Sequence, residues 1–310
     1  MIATLTMNPA IDRLLFIDKL NKNNTTRILR ISEALGGKGT HVSLNLAQLG
    51  LENDCYGVVM GETGRRIIEI LRQHPNINEK MYYLETGESR TNYAIIERDH
   101  TSTLLSEKGE TITAEVCEQV VDRLVSELEP GDDLVLSGDA SNSEIPHIYN
   151  HILERLAQKD VRVYLDTSSE NLINGIKLKP FMVKPNLDEL AQYAGTPVQT
   201  EEEILGAMER IVSQGVALVA VTCGGDGSYV YYQNQYYRIE PIKIPVVNTI
   251  GCGDAYLSGI VYGINRSLDL EDVLRHAAAV STATALCDST VGFDLNTMRE
   301  LLTQVEVRKL

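Results

Sequence analysis

Asp133-Leu134-Val135-Leu136-Ser137 is followed, after an amphipathic stretch from Ile148 to Gln158, by a second apolar run, Val161-Arg162-Val163-Tyr164-Leu165-Asp166. Two short β-branched runs separated by a segment of helical periodicity read as strand, helix, strand. Strands joined in this way lie parallel, and the faces of such a sheet are covered by helices. The same alternation continues in both directions. Val58-Val59-Met60, Met182-Val183 and Val216 to Thr222 read as further strands, and Arg65 to Gln73, Ala114 to Leu128, Glu201 to Gln214, Asp254 to Ile264 and Leu270 to Cys287 as helices. Thr200 with Glu203 has the form of a capping box, and Asp269 and Asp294 stand where N-caps belong. The pattern predicts an α/β fold built on a mostly parallel sheet.

Two segments break this rhythm. Asp12 to Leu35 and Ser89 to Ser106 are extended in character, with alternation such as Arg27-Ile28-Leu29-Arg30-Ile31 and Asn92-Tyr93-Ala94-Ile95-Ile96-Glu97. They fit a small antiparallel sheet projecting from the core as a substrate lid, and equally well ordinary edge hairpins. On the first reading residues 1–11, 36–88 and 107–310 form the core, and 12–35 with 89–106 form the lid. No repeat, low-complexity tract or Pro/Gly-rich linker divides the chain.

The length of 310 residues with 43% apolar side chains is enough to bury a full-sized core. The net charge of -15, from 43 acidic and 28 basic residues, repels a phosphate backbone or an anionic membrane surface, so neither nucleic acid nor membrane is expected as a partner. An anionic substrate must then be met by a local concentration of Lys, Arg and backbone N–H groups. The five cysteines are odd in number and scattered without a Cys-x-x-Cys pair, which suits a reducing cytosol rather than zinc or redox chemistry. Met1 leads straight into Ile2-Ala3-Thr4-Leu5-Thr6 with no basic or long apolar leader, so a cytoplasmic location is expected.

The strongest local signal for chemistry is Val246-Val247-Asn248-Thr249-Ile250-Gly251-Cys252-Gly253-Asp254, which opens an apolar helix. Gly251 and Gly253 let an anion approach the free N–H groups at the helix N-terminus, where the helix dipole adds favourable potential. Asp254 falls in the first turn, where that field favours a carboxylate able to orient and deprotonate a hydroxyl. In isolation such a sequence is more often only a helix start. A second cluster, Gly36-Gly37-Lys38-Gly39, precedes another helix, Thr40 to Leu49; by itself it too would read as a turn with a solvated Lys. Neither cluster is a Walker A loop, since Lys38 is followed by Gly39, and Tyr256 stands where a dinucleotide fingerprint needs its third glycine.

Together these two clusters resemble the signatures of the ribokinase-like (PfkB) carbohydrate kinases, the first over Gly36 to Gly50 and the second over Asn248 to Gly259. Asn8-Pro9-Ala10-Ile11-Asp12, Ser89-Arg90-Thr91-Asn92 and Lys184-Pro185-Asn186-Leu187-Asp188-Glu189 are similar to the 1-phosphofructokinase and tagatose-6-phosphate kinase branch. The resemblance spans nearly the whole chain. It implies a three-layer core with a β-sheet lid, ATP and Mg²⁺ as cosubstrates, and phosphoryl transfer to a phosphorylated ketohexose. It also implies roles. Asp12 binds sugar hydroxyls, with Gly37, Gly39 and position 41 beside it; Lys38 and Arg90 neutralise the phosphate already on the substrate. Lys184 lies near the ATP phosphates, Asn186 and Glu189 organise the metal through water, and Thr222, Gly224 and Gly227 form a loop by the nucleotide. Gly251, Cys252 and Gly253 donate N–H groups to the charge that develops in transfer, and Asp254 is the base. A homodimer through the lid is a further implication. A kinase for an unphosphorylated sugar or nucleoside, and a catalytically silent sugar-phosphate sensor, are the rival functions.

The chain departs from the branch in four places. His41 stands where Asn is common, which could add pH dependence or simply pack under the lid. Cys252 replaces a small Ala or Ser and places a thiol at a helix N-terminus, a setting that can make it reactive. Asn248 replaces the acid of the wider family. Ser137-Gly138-Asp139-Ala140-Ser141-Asn142-Ser143 replaces Ser-Gly-Ser-Leu-Pro and brings in an extra acid, which leaves the identity of the sugar open. His147 and His151, with Glu144 and Glu154, have metal-like spacing but read better as a solvated helical face. Tyr231-Tyr232 and Tyr236-Tyr237 read as a hairpin around Gln233-Asn234-Gln235 rather than an adenine platform.

Overall fold

The computed structural model describes residues 1–310. Ten strands form one sheet, in the spatial order Val307–Lys309, Gln235–Ile239, Ser228–Tyr232, Leu218–Thr222, Met182–Val183, Arg162–Asp166, Asp133–Ser137, Ile2–Thr6, Asn53–Met60 and Ile77–Leu84. From Leu218–Thr222 to Ile77–Leu84 every pairing is parallel; the three remaining edge strands are antiparallel. The alternation of the buried strands fills two apolar layers. Leu134, Leu136, Leu165 and Val219 pack with the helices Ala114–Glu127, Ile148–Leu156 and Glu201–Val212. Val135, Tyr164, Leu218 and Ala220 pack on the other face with Cys252–Asn265 and Leu270–Ala285. Successive side chains of a strand point to opposite faces, so both helical layers draw on the same strands.

The capping residues hold where the sequence places them. Thr200 and Glu203 form a reciprocal capping box, and Asp294 accepts from the Thr297 N–H. Asp269 takes its N-cap position without a side-chain bond. The helix expected from Thr40 starts two residues earlier, at Lys38, with Gly37 as its N-cap. The tyrosine pairs lie in the hairpin Ser228–Tyr232 and Gln235–Ile239, Tyr231 facing Tyr236 with ring centroids 4.9 Å apart.

A second sheet stands apart from the first, in the order Ile28–Gly36, Ala10–Ile17, Arg90–Glu97, Ser102–Ser106. It corrects the expectation of a wholly antiparallel sheet, because its two middle strands run parallel, Ala10 opposite Arg90 and Ile17 opposite Glu97. Both leave the core at the same level and run outward, and each turns back through its own hairpin partner. Leu14, Ala94 and Ile96 form its small apolar centre, with Ile250 of the core packed against them.

Strand Ile2–Thr6 lies between Asn53–Met60 and Asp133–Ser137, so the strand order reverses beside it. In open parallel sheets the crevice beyond the carboxyl ends at such a point is where ligands bind. Thr6, Gly138 and Thr222, at or just past the ends of their strands, line a cleft of about 630 Å³ there.

Candidate active site

Gly251 starts the site. Its φ of 82° is left-handed, and a Cβ there would lie 1.9 Å from the Thr290 carbonyl oxygen, so both turn and packing require glycine. The helix Cys252–Asn265 begins at once, and its first-turn Gly253 and Asp254 N–H groups have no acceptor within the helix. Asp254 is buried at this N-terminus, and its Oδ2 lies 2.7 Å from His41 Nδ1, while Oδ1 makes no hydrogen bond within the chain.

His41 comes from the other glycine-led helix, Lys38–Gln48, and is buried. Its Nε2 donates to the Leu35 carbonyl at 2.8 Å and lies 3.6 Å from Asp12 Oδ2. Burial alone would depress the imidazole, but hydrogen bonding and charge from Asp12 and Asp254 outweigh it and raise the group to about 10. A carbonyl facing Nε2 and a carboxylate facing Nδ1 each call for a ring proton, so the surroundings of His41 favour an imidazolium between two carboxylates. Asp12 also accepts from Asn92 Nδ2 at 2.8 Å, and despite burial its carboxyl is held below the usual range by His41 and Asn92.

A second charged cluster faces this one. Lys38 Nζ is 3.1 Å from Asp166 Oδ1 and Lys184 Nζ is 3.2 Å from Oδ2 of the same carboxylate, which is fully buried. Burial pushes Asp166 up, yet Lys184 and Lys38 hold it below its ordinary value. Asp166 pushes Lys38 above the ordinary lysine range. Two lysines around one carboxylate leave net positive charge, whereas two carboxylates around His41 leave net negative charge. Gly253, whose Cβ would come 3.4 Å from Lys184 Nζ, lies beside the positive set.

The remaining candidate residues divide between the two ends of the cleft. Arg90 stands at the end nearer the second sheet, its Nε donating to the Asn8 carbonyl at 3.0 Å and Nη1 to Ser106 Oγ at 2.9 Å. Thr222, Gly224 and Gly227 line the opposite end, where Ile239, Pro241, Ile242 and Ala278 provide an apolar wall. Asn186 and Glu189 stand on the rim and hold each other. The Asn186 N–H donates to Glu189 Oε2 and the Glu189 N–H to Asn186 Oδ1, both at 2.9 Å, a capping box on the helix Leu187–Ala194. Gly37, Lys38 and Cys252 are on the wall as well, but Gly39 is not. A Cβ at Gly39 would meet Thr6 Oγ1 at 2.4 Å and the Leu5 carbonyl oxygen at 2.7 Å, so that glycine serves helix-to-strand packing.

The Cys252 thiol at this helix start is shielded by burial rather than activated by the position. Burial, reinforced by the Asp254 charge, pushes it up to about 12. His147 and His151 do not converge: His151 pairs with Glu118 at 3.1 Å and His147 lies 3.9 Å from Glu170. No group of three or more His, Cys, Asp or Glu side chains could hold a metal ion. Asn186 and Glu189 instead offer a few hard oxygen donors beside Lys184, a set that fits Mg²⁺ completing its shell with water and phosphate oxygens rather than a protein cage. Asp139 lines the cleft from the divergent loop and accepts from the Ser141 N–H and hydroxyl.

Residues 5–297 match the pfkB family carbohydrate kinases. The chain belongs to that family. Over 311 residues, spanning all of both proteins, it is 32% identical to a 1-phosphofructokinase of Bacillus subtilis. It is 27% identical to a tagatose-6-phosphate kinase of Staphylococcus epidermidis over 99% of each. The phosphofructokinase-2 of Escherichia coli, crystallised in complex with substrates and products, superposes with a TM-score of 0.90 over 98% of both chains at 19% identity, which speaks to the fold. In this carbohydrate kinase two features were not foreseen from the sequence, the buried Asp166 that holds the cleft lysines Lys38 and Lys184, and the apolar wall. The signals were present, an acid closing an apolar strand at its carboxyl end and the apolar residues that follow the tyrosine hairpin.

Proposed function

We propose that this carbohydrate kinase transfers the γ-phosphoryl group of ATP to a hydroxyl of a phosphorylated ketohexose, of the fructose-1-phosphate, tagatose-6-phosphate or fructose-6-phosphate type, and releases a bisphosphate. The observation that carries this reading is the meeting of Asp254, with one oxygen unbonded, and the Lys38–Asp166–Lys184 cluster at one glycine-flanked helix start. The names of the curated relatives support a phosphosugar as acceptor.

Asp12 holds sugar hydroxyls, and Arg90 with Lys38 neutralises the phosphate that the sugar already carries. The apolar wall receives the adenine, and Thr222, Gly224 and Gly227 let the nucleotide approach the sheet. Asp254 Oδ1 accepts the proton of the attacking hydroxyl as its oxygen closes on the phosphorus. Negative charge gathering on the transferred group is met by Lys184 and by the N–H groups of Gly251 and Gly253, while the Cys252 N–H, expected as a third donor, already reaches the Thr249 carbonyl at 3.4 Å; this is an alignment and charge-neutralisation task rather than one needing a strong base. Asn186 and Glu189 are the residues that would hold Mg²⁺ and its waters, and the ion supplies further neutralisation of the phosphate oxygens.

Replacing the base tests this reading. Asp254→Asn should lower kcat by about 10²–10⁴-fold with the sugar KM little changed, measured by ADP release over a panel of ketohexose phosphates. An Asn variant as fast as the wild type would overturn it. Full turnover in Arg90→Ala would point to an unphosphorylated acceptor. No helix of the chain is long and apolar enough to cross a membrane, and the five unpaired cysteines suit a reducing cytoplasm.

A further inference from the structure

We propose that His41 is a positioning residue for the reaction, a bridge that ties the base Asp254 to the sugar-site carboxylate Asp12 and leaves one oxygen of the base for the substrate hydroxyl. The inference rests on the reading of Asp254 as the base. Its first support is geometry. His41 Nδ1 reaches Asp254 Oδ2 at 2.7 Å, while Nε2 donates to the Leu35 carbonyl at 2.8 Å and faces Asp12 Oδ2 at 3.6 Å. With both nitrogens engaged and the ring buried, the imidazole has one orientation, and so has the carboxylate it holds.

The charged groups that face the ring are Asp12 from the lid strand and Asp254 from the helix start; Lys38 and Arg90 act through those two carboxylates. A ring already carrying both protons cannot take the substrate's proton from Asp254. It orients the acceptor and offsets the repulsion between the two acids, which would otherwise lie unneutralised on either side of a buried site. Because Asp12 belongs to the second sheet and Asp254 to the core, the same ring also joins lid to core at the reacting end of the cleft.

Two measurements test this. In the ligand-free wild type, ¹⁵N NMR of the histidine rings, with His41→Asn as the assignment control, should show one imidazole doubly protonated at pH 8.5, where a free histidine is neutral. In steady-state assays His41→Leu should lose about 100-fold in kcat with the sugar KM within about threefold, and His41→Asn, which keeps one N–H donor, should recover at least tenfold of that loss. A neutral ring at pH 8.5, or a folded His41→Leu with wild-type kcat, would overturn the proposal. Asp254→Asn in the same assay separates the causes. If it is inactive while His41→Leu is not, only the bridge fails; if it is fully active, the base reading fails with it.

Discussion

Asp166 is the single carboxylate on which both cleft lysines, Lys38 and Lys184, depend, and its full burial makes it a sensitive residue. Removing one member of a buried ion pair strands the others at a cost of about 3–5 kcal/mol. Asp166→Asn should therefore lower the unfolding free energy measured by urea denaturation by that order and also depress kcat, since Lys38 and Lys184 lose the group that sets their positions. The pH dependence follows from the direction of the shift. The folded carboxyl is held below its unfolded value of 3.8, so its contribution is present above that pH and is lost as the pH falls through the lower, folded value. Acid denaturation of the wild type below about pH 4 should be steeper than that of Asp166→Asn. His41 has the opposite sign. Its folded value of about 10 lies above the unfolded 6.5, so its stabilisation is complete below 6.5 and lost as the pH rises through 10. Equilibrium unfolding across that window should show wild-type stability falling relative to His41→Asn; parallel curves would mean the ring is uncharged.

At the scale of elements, the short helix Leu187–Ala194 combines two tasks, because the residues assigned to the metal are also its capping box. Glu and Gln both serve as the third residue of such a box, whereas only Glu brings a charge toward a cation. Glu189→Gln should therefore leave the thermal midpoint nearly unchanged and raise the Mg²⁺ concentration needed for half-maximal rate. Glu189→Ala should lower both stability and activity, the cap loss costing about 1 kcal/mol. An unchanged Mg²⁺ requirement in Glu189→Gln would confine that residue to capping. Asn186 and Glu189 have the same spacing as Thr200 and Glu203, so this box is legible by the same rule. Strand–helix alternation located the core elements well, since period and burial agree from Asp133 to Asp166. The parallel pairing of Ala10–Ile17 with Arg90–Glu97 could not be read, because alternation fixes which face a residue takes and says nothing about which distant strand lies beside it. For the same reason His41, assigned to the sugar, gave no sign that its ring reaches Asp254, a residue 213 positions away.

At the scale of the whole molecule, the second sheet leaves apolar surface that the fold itself does not cover. Leu29, Ile31 and Leu105 are 60%, 56% and 53% exposed, on or beside the outer strands Ile28–Gly36 and Ser102–Ser106. Outer strands of a small sheet with bare Leu and Ile invite a partner. A chain with net charge -15 resists non-specific association, so contact at this apolar surface, which the Arg13–Glu33 ion pair shares, would be selective. We propose that two copies pair through their lids, each bracing the other's sheet over its cleft. Sedimentation at micromolar concentration should then give about twice the 34.3 kDa chain mass. Leu29→Glu combined with Ile31→Lys should yield monomers with a thermal midpoint close to the wild type, because neither side chain packs in the core, and a sugar KM raised several-fold by a looser lid. Arg90 and Asp12 project from the middle strands of that sheet, so loosening it reaches their end of the cleft, the one proposed for the sugar, before the end lined by Thr222 and Gly224. The ATP KM should consequently stay nearly constant in the double variant. A wild type that sediments as a monomer, or a double variant that remains dimeric, would place the subunit contact elsewhere or remove it.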